Sequence, residues 1–156
     1  MDDQRHDRPD DPSGELGDAE GDARVERLSP EECWALLESE TFGRLAYRLV
    51  DEVHIVPIDY LATGHTIHLR TGAGNKLLAA ALSADVALEI DWRSAGAAWS
   101  VVARGRLRRL EPDEHPSYVP SPRPWVGAAP HEVIELVGGV VEGRRFGWSR
   151  ADAAAG

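Results

Sequence analysis

A glycine-rich stretch with basic residues at both ends, residues 70–76, has the composition of an anion-binding site. It runs Arg-Thr-Gly-Ala-Gly-Asn-Lys. Glycines let backbone amides approach a phosphate, while Arg70, Thr71 and Lys76 supply a guanidinium fork, a hydroxyl and an ammonium group. Lys76 is the only lysine in the chain, which favours a role for a compact, flexible cation at this position. The alternative is a solvated lysine beside an ordinary turn.

The elements around this stretch should place it at a junction between a strand and a helix. Residues 65–71 alternate, with Ile67 and Leu69 on one face and His68 and Arg70 on the other, which predicts a strand. Residues 74–82 are rich in helix formers and predict a short helix. The amides at the start of such a helix favour a bound anion. The spacing does not match a Walker phosphate loop.

The rest of the pattern predicts a small antiparallel barrel with one N-terminal helix. Ser29, Pro30 and Glu32 form the signature of a capping box, followed by apolar positions at helical spacing that include Cys33. Alternating segments then predict strands at 43–48, 53–61, 65–71, 86–91, 99–107 and 133–137. About six strands favour a closed barrel, because closure removes exposed strand edges.

Composition limits the domain organisation and the partners. The 156 residues suffice for one domain, and the formal net charge of −10 argues against nucleic acid or an anionic membrane as partner. Residues 1–27 are acidic and poor in apolar residues, which predicts a disordered tail before a domain at 28–150, with 151–156 as a disordered C-terminus. The single cysteine excludes an internal disulfide. We expect a cytoplasmic protein without a membrane span or signal sequence.

Seven pieces of the sequence together resemble one known family. They are residues 28–37, 43–46, 56–60, 69–76, 86–91, 99–105 and 143–146. In this order they resemble the pyridoxamine 5′-phosphate oxidase-like flavoproteins of the FMN-binding split-barrel fold, in the short form found in high-GC bacteria. The resemblance covers residues 28 to about 148, and the ordered set carries it rather than any single piece.

The resemblance implies a six-stranded antiparallel split β-barrel that forms a homodimer, with two FMN sites at the subunit interface. It implies that Arg70, Thr71 and Lys76 hold the FMN phosphate, in agreement with the chemistry of the stretch, with Leu69 beside them. The other residues it places along the flavin are Pro57, Ile58, Asp59, Tyr60, Trp99 and Ser100. The family often has Asn where this chain has Asp59, and an ionised carboxylate accepts hydrogen bonds but donates none.

The function that the resemblance implies is a flavin-dependent oxidoreductase that passes a hydride or electrons to a small-molecule substrate. A reduced nicotinamide or deazaflavin would be the donor, and no catalytic residue is assigned, because the flavin would carry the redox chemistry. Relatives that use the deazaflavin F420 have a similar phosphate-binding end, so F420 is the alternative cofactor. A non-catalytic flavin store, carrier or sensor is a further alternative, as is a barrel that has lost its cofactor.

Other chemistry-bearing residues have structural interpretations. Spacing argues against a metal site, because His65 and His68 fall on opposite faces of a strand. The arginines of residues 104–109 are expected on a solvated exterior, and Cys33 in the core. Arg144 and Arg145 could lie at the partner's flavin or in a salt bridge between subunits. The proline-rich residues 115–130 are expected to form a loop over the site.

Overall fold

The computed structural model describes residues 24–72, 81–82, 84–115 and 131–148. Within these ranges the chain forms one α-helix and seven strands. In chain order they are β1 (Arg24–Leu28), α1 (Pro30–Ser39), β2 (Phe42–Leu49), β3 (Glu52–Thr63), β4 (Thr66–Gly72), β5 (Asp85–Arg93), β6 (Ala97–Arg109), a 3-10 turn (Pro112–Glu114) and β7 (His131–Gly147). The described residues include no helix long and apolar enough to cross a membrane.

The strand pairings close six of the strands into a ring. The order β7-β4-β3-β2-β5-β6 is antiparallel throughout, and β6 pairs back onto β7. β1 adds a seventh strand by pairing with the last residues of β7, so that Arg24 lies opposite Gly147 and Leu28 opposite Gly143. The predicted six-stranded antiparallel barrel is therefore confirmed, with β1 as an addition.

α1 begins as the sequence predicts. The Ser29 backbone N–H donates to the Glu32 carboxylate at 2.8 Å, and the Glu32 N–H donates to the Ser29 hydroxyl at 3.2 Å. These bonds satisfy amide groups that a helix end otherwise leaves without partners. They also hold the pKa of Glu32 below its usual range, with the backbone bond as the largest cause.

α1 packs against the barrel through its apolar stripe. Cys33 and Leu37 are fully buried, which confirms the prediction for Cys33, and the Tyr60 hydroxyl donates to the Leu37 carbonyl at 2.9 Å. Side chains of all six ring strands complete the core. Its largest fully buried members are Leu37, Leu45, Ile67, Leu69, Leu88, Ile90, Leu107, Ile134, Val101 and Cys33.

Two strands differ from the prediction. β1 was not predicted, and its backbone pairs with β7 although its residues are mostly exposed. The last strand is much longer than the predicted 133–137. Two glycines, Gly138 with φ +66° and Gly139, interrupt the alternation of apolar residues in this strand. Gly139 lies close to the Arg104 carbonyl, where the pairing of β6 with β7 shifts its register.

Parts of two other expectations lie outside the described residues. The helix predicted at 74–82 falls mostly on residues 73–80, and the described end shows a turn at Ala81 and a bridge between Leu82 and Leu107. The loop predicted at 115–130 lies outside them from residue 116 onward. The tail as far as residue 23 and the C-terminal residues 151–156 are also outside.

Gly143 is the position where β7, β1 and α1 come closest. A Cβ built there would lie 2.8 Å from the Cys33 Sγ and 2.9 Å from the Leu28 Cδ1. We expect Gly143→Ala to lower the free energy of unfolding by about 1–3 kcal/mol through overpacking, measured by denaturant unfolding. Gly147→Ala is the control, because nothing lies within 4 Å of a Cβ there. Equal losses in both variants would contradict the packing explanation.

Candidate functional site

The predicted site begins on the outer surface of β3 and β4. Asp59 of β3 lies directly opposite Arg70 of β4 in the antiparallel pairing. Their neighbours Ile58, Tyr60 and Leu69 point into the core, so alternation directs Asp59 and Arg70 outward. Directly opposite residues have Cβ atoms about 5 Å apart. The fold therefore brings together an acid and a base that the sequence separates by ten residues.

The charges of this pair act on each other. Partial burial raises the pKa of the Asp59 carboxyl, and the nearby Arg70 guanidinium opposes this, with burial the larger cause. Arg70 is half-buried and makes no salt bridge at ion-pair distance within the described residues. Its guanidinium thus keeps hydrogen-bonding capacity that it could offer to an anion.

The other two predicted phosphate ligands, Thr71 and Lys76, follow Arg70 in the sequence. Thr71 and Gly72 are the last residues of the strand, and both are half-buried. Lys76 lies outside the described residues. Arg70 and Thr71 are therefore consecutive residues at the end of β4.

Three of the predicted residues are buried in the core. Ile58, Tyr60 and Leu69 are at most 6% exposed. The Tyr60 hydroxyl is bonded to the carbonyl of α1, and burial raises the pKa of this phenol well above its usual value. Their side chains hold the two strands in register, so contact with a ligand from these positions would have to come from the backbone. Pro57, by contrast, is exposed on the same outer surface as Asp59.

Trp99 and Ser100 lie elsewhere in the barrel. Both are on β6, where Trp99 packs against the core and Ser100 lies on the outer surface. In the ring of six strands, β3 and β6 are three positions apart in either direction. They form opposite walls, so Asp59 and Ser100 point away from each other. One chain cannot bring them to the same ligand.

Ser100 lines a groove on the outer surface of β1, β6 and β7, which we call the β1–β7 groove. Its volume is about 520 Å³. The residues that line it are Arg27, Leu28, Pro30, Ser100, Val102, Arg104, Val140, Val141, Glu142, Gly143 and Arg144. The register places Arg27 opposite Arg144, and Arg144 opposite Ser100, so these three form one row across the strands.

The arginines of β6 are exposed, as predicted, and each faces a carboxylate. Arg104 contacts Glu142 at 2.6 Å, Arg106 contacts Asp85 at 3.2 Å, and Arg108 bridges Glu114 and Glu135. Arg109 lies 3.7 Å from Glu132. Such exposed pairs contribute little to stability. They neutralise this wall of the barrel.

Arg145 also has partners within its own chain. It lies 3.8 Å from Glu26 and 3.7 Å from Glu32. This arrangement ties the end of β7 to β1 and α1. Arg144, the next residue back along the strand, has no such pair within the described ranges.

Two residues beside the Asp59–Arg70 pair were not among the predicted site residues. Phe42 lies opposite Asp59 and is 41% exposed, an aromatic ring at the outer surface. His68 precedes Arg70 by two residues on the same face. Its buried Nδ1 has no hydrogen-bond partner among the described residues, and burial lowers its pKa. The sequence alternation had already placed His68 on the same face as Arg70, but it assigned His68 no role in the site.

The described residues contain no group of three or more His, Cys, Asp or Glu side chains arranged to hold a metal ion. His65 forms the turn before β4 and stacks on Trp34, with ring centroids 4.9 Å apart. It thus packs a turn against α1.

The fold and site define a class: a small antiparallel β-barrel with an outward-facing, half-buried arginine at one strand end. Comparison with family models identifies it further, because residues 29–142 match the model described as pyridoxamine 5′-phosphate oxidase. The chain belongs to this family, as its sequence resemblance predicted.

Several solved structures share the fold. A candidate pyridoxamine 5′-phosphate oxidase from Corynebacterium glutamicum is 30% identical, with a TM-score of 0.68 over 80% of this chain and 99% of that one. A FAD binding protein from Mycobacterium smegmatis is 29% identical, with a TM-score of 0.64 over 79% and 99% of the two chains. A FAD-binding protein from Mesorhizobium loti is 23% identical, with a TM-score of 0.62 over 80% and 98%, which supports the fold. A comparison with curated proteins gave no significant match.

The coupling between Asp59 and Arg70 can be tested directly. Because the Arg70 charge lowers the Asp59 pKa against the effect of burial, Arg70→Ala should raise that pKa further above its usual value. An NMR titration of the side-chain carboxyl carbons measures it. Arg48→Ala, which removes an exposed arginine paired with Asp51 at the far end of the hairpin, is the control. An unchanged Asp59 pKa in Arg70→Ala would show that the two groups do not interact.

Proposed function

We propose that the protein is a flavin-dependent oxidoreductase that binds FMN by its phosphate at the end of β4. The observation that carries the proposal is the half-buried, outward-facing Arg70 beside Thr71, at the start of the glycine-rich stretch that leads to Lys76. The guanidinium of Arg70, the hydroxyl of Thr71 and the ammonium group of Lys76 together suit a phosphate dianion. Membership of the pyridoxamine 5′-phosphate oxidase family supports it, as do solved relatives that are FAD binding proteins.

The outer surface of β3 would carry the rest of the flavin. Pro57 and Asp59 are the predicted side chains there, together with the backbone of residues 58–60. An ionised Asp59 would accept a hydrogen bond from a ribityl hydroxyl or a flavin N–H. Phe42, exposed beside Asp59, offers an apolar surface to a ring.

The site would be completed by a second copy of the chain. Ser100 and Trp99 lie on the wall opposite Asp59, so a flavin that touches both needs residues from two subunits. The outer surface of the β2–β3 hairpin also carries apolar residues open to solvent, Val53 at 72% and Ile55 at 66%. Val53 also lines an open groove of about 790 Å³ whose apolar members include Ala46, Ala87 and Val140. Exposed apolar surface of this kind marks an interface, which we assign to a homodimer.

The bound flavin and the residues of this chain would have separate roles. Bound flavin supplies hydride or electron transfer, and this chain's residues bind the phosphate, orient the ring and exclude water from one of its faces. A reduced nicotinamide would be the donor and a small molecule the substrate, in a cytoplasmic setting. The deazaflavin F420 is the competing cofactor, because the same phosphate ligands would serve it.

Mass spectrometry of the small molecule released on denaturing the full-length protein would test the cofactor assignment. The expression host should make both FMN and F420. Release of FMN would support the proposal. Release of F420 would change the cofactor assignment to F420 and leave the assignment of the anion site as it is. Failure to recover or take up either would overturn the function. Reduction of bound flavin by NADPH would then separate an enzyme from a carrier, which should bind flavin without rapid reduction.

The phosphate assignment predicts the effect of two substitutions. Arg70→Ala and Lys76→Ala should each weaken FMN binding by about 1.5–3 kcal/mol, the range for hydrogen bonds to charged groups, with the barrel still folded. Fluorescence titration of the apoprotein with FMN measures the affinity, and Arg48→Ala is again the matched control. Unchanged affinity in both variants would remove this assignment.

The proposed interface can be tested with one charge. Ile55→Asp places a carboxylate in the exposed apolar surface of β3, so we expect the variant to sediment as a monomer at concentrations where the native chain is a dimer. Ala35→Asp adds the same charge on the exposed side of α1 and should leave the dimer intact. A dimeric Ile55→Asp variant, or a monomeric native chain, would contradict this interface.

A further inference from the structure

Asp59 puts a negative charge next to Arg70, the residue to which the flavin phosphate is assigned. The two residues lie directly opposite each other in the pairing of β3 with β4, and both point outward. The Arg70 charge acts on the Asp59 carboxyl, although neither side chain makes a salt bridge within the described ranges. The Arg70 guanidinium is therefore close to Asp59 without being bound to it.

On the neighbouring strands, Arg44 and His68 lie one outward position away from this pair. Arg44 of β2, the outward residue after Phe42, is bound to two carboxylates of β5. His68 of β4, the outward residue before Arg70, has a pKa that burial lowers. Arg44 thus has its counter-charges, and His68 becomes positive only below its usual pH range.

The rest of β3 and the helix packed against it add no cation. Pro57 and Leu61, the outward neighbours on β3, carry no charge. α1 contacts the core side of β3, and the Glu40 carboxylate at its end adds to the effect of burial in raising the pKa of the Tyr60 phenol. Arg70 is therefore the cation whose charge reaches the carboxyl on β3.

Partial burial makes the ionised form of Asp59 unfavourable. Burial raises its pKa, and the positive charge of Arg70 reduces this rise without cancelling it. The carboxyl therefore takes up a proton at a higher pH than an exposed aspartate does. While it is ionised, it draws part of its stabilisation from Arg70.

An anion bound at Arg70 would share that guanidinium with Asp59. Two negative groups beside one cation repel each other, so each is held less tightly in the presence of the other. Because such linkage is reciprocal, protonation of Asp59 strengthens anion binding, and a bound anion raises the pKa of Asp59. Partial burial adds to the effect, since salt screens a partly buried pair of charges less than an exposed one.

We propose that Asp59 determines the charge selectivity of the anion site at the end of β4, because its carboxylate competes with the bound anion for Arg70. The site holds a dianion more tightly when Asp59 is protonated than when it is ionised. With Asp59 ionised, the preference for a dianion over a monoanion is smaller, because the repulsion grows with the charge of the ligand. This inference rests on the proposed function, which places a phosphate at Arg70.

The first test uses sulfate, which keeps the same charge throughout the range in which Asp59 and His68 titrate. An NMR titration of the full-length protein, followed at the amides of Thr71 and Gly72, measures sulfate affinity at this site. At neutral pH, Asp59→Asn should bind sulfate about three- to tenfold more tightly than the native chain, the effect of one nearby like charge. The native affinity should rise toward that of the variant as the pH falls through the pKa of Asp59.

The matched control is Asp51→Asn, which removes the same charge at the far end of the β2–β3 hairpin and should leave sulfate affinity unchanged. His68 titrates in all three proteins, so its contribution cancels in the comparison. Equal affinity of the native chain and Asp59→Asn at neutral pH would overturn the proposal. An equal gain in both variants, or a gain in Asp59→Asn that persists at pH values where the native Asp59 is protonated, would also overturn it.

The second test compares FMN with riboflavin, which has the same ring and ribityl chain but no phosphate. Asp59→Asn should raise the ratio of FMN affinity to riboflavin affinity about three- to tenfold at neutral pH, because only FMN carries the charge that Asp59 repels. The ratio cancels any hydrogen bond from Asp59 to the ring or the ribityl chain. An unchanged ratio would contradict the proposal. Thermal melts followed by circular dichroism verify that each variant is folded.

Failure of this inference and failure of the proposed function give different results. If Arg70→Ala weakens FMN binding while Asp59→Asn leaves the affinity ratio unchanged, the phosphate site stands and Asp59 does not set its selectivity. If neither sulfate nor FMN binds at the end of β4 in the native chain or in Asp59→Asn, both proposals are overturned.

Discussion

The pairing of β7 with three other strands is the constraint on which the rest of the structure depends. Its first half pairs with β4, its last residues pair with β1, and β6 runs along nearly its whole length. This one strand closes the ring and satisfies backbone groups that would otherwise form open edges. It also carries Gly143, whose missing side chain lets Cys33 and Leu28 approach.

Closure of the ring determines where functional side chains can meet. On each wall, alternation gives one set of residues to the core and one to the outer surface. The core set, which includes Tyr60 and Leu69, fixes the register of β3 and β4. That register places Asp59 opposite Arg70 and leaves both facing outward. A ligand site on this barrel is therefore an outer-surface site, open to completion by a second chain.

The unequal distribution of counter-charges divides the surface into neutral and basic parts. Most outward arginines lie within ion-pair distance of a carboxylate on a neighbouring strand or turn. Among the described residues, the arginines without such an ion pair are Arg24, Arg27, Arg70, Arg93 and Arg144. Of these, Arg70 is half-buried and the other four are exposed. Because the chain as a whole is strongly acidic, an unmatched and partly buried arginine is a place where an anionic ligand would bind.

The sequence alone determined much of the architecture and indicated the candidate anion site at the end of β4. Alternating residues, turn residues and the capping box are local signals, so they defined α1 and the meander of β2, β3 and β4. Arg70 and Thr71 could be recognised because glycines and a lone lysine follow them in sequence. The resemblance of ordered pieces indicated the family, which the comparison with family models confirmed.

The tertiary structure decided what depends on long-range pairing. β1 was missed because its composition is that of a polar tail, and only its pairing with β7 makes it a strand. The length of β7 was missed because glycines interrupt its alternation, where a bulge lets it follow the barrel wall. For the same reason no local signal could separate Ser100 from Asp59 and Arg70, whereas Asp59 and Arg70 face each other within the local β3–β4 hairpin, whose turn fixes the register. The position of Ser100 is set by the pairing of β6 with β5 and β7, which is a property of the closed barrel.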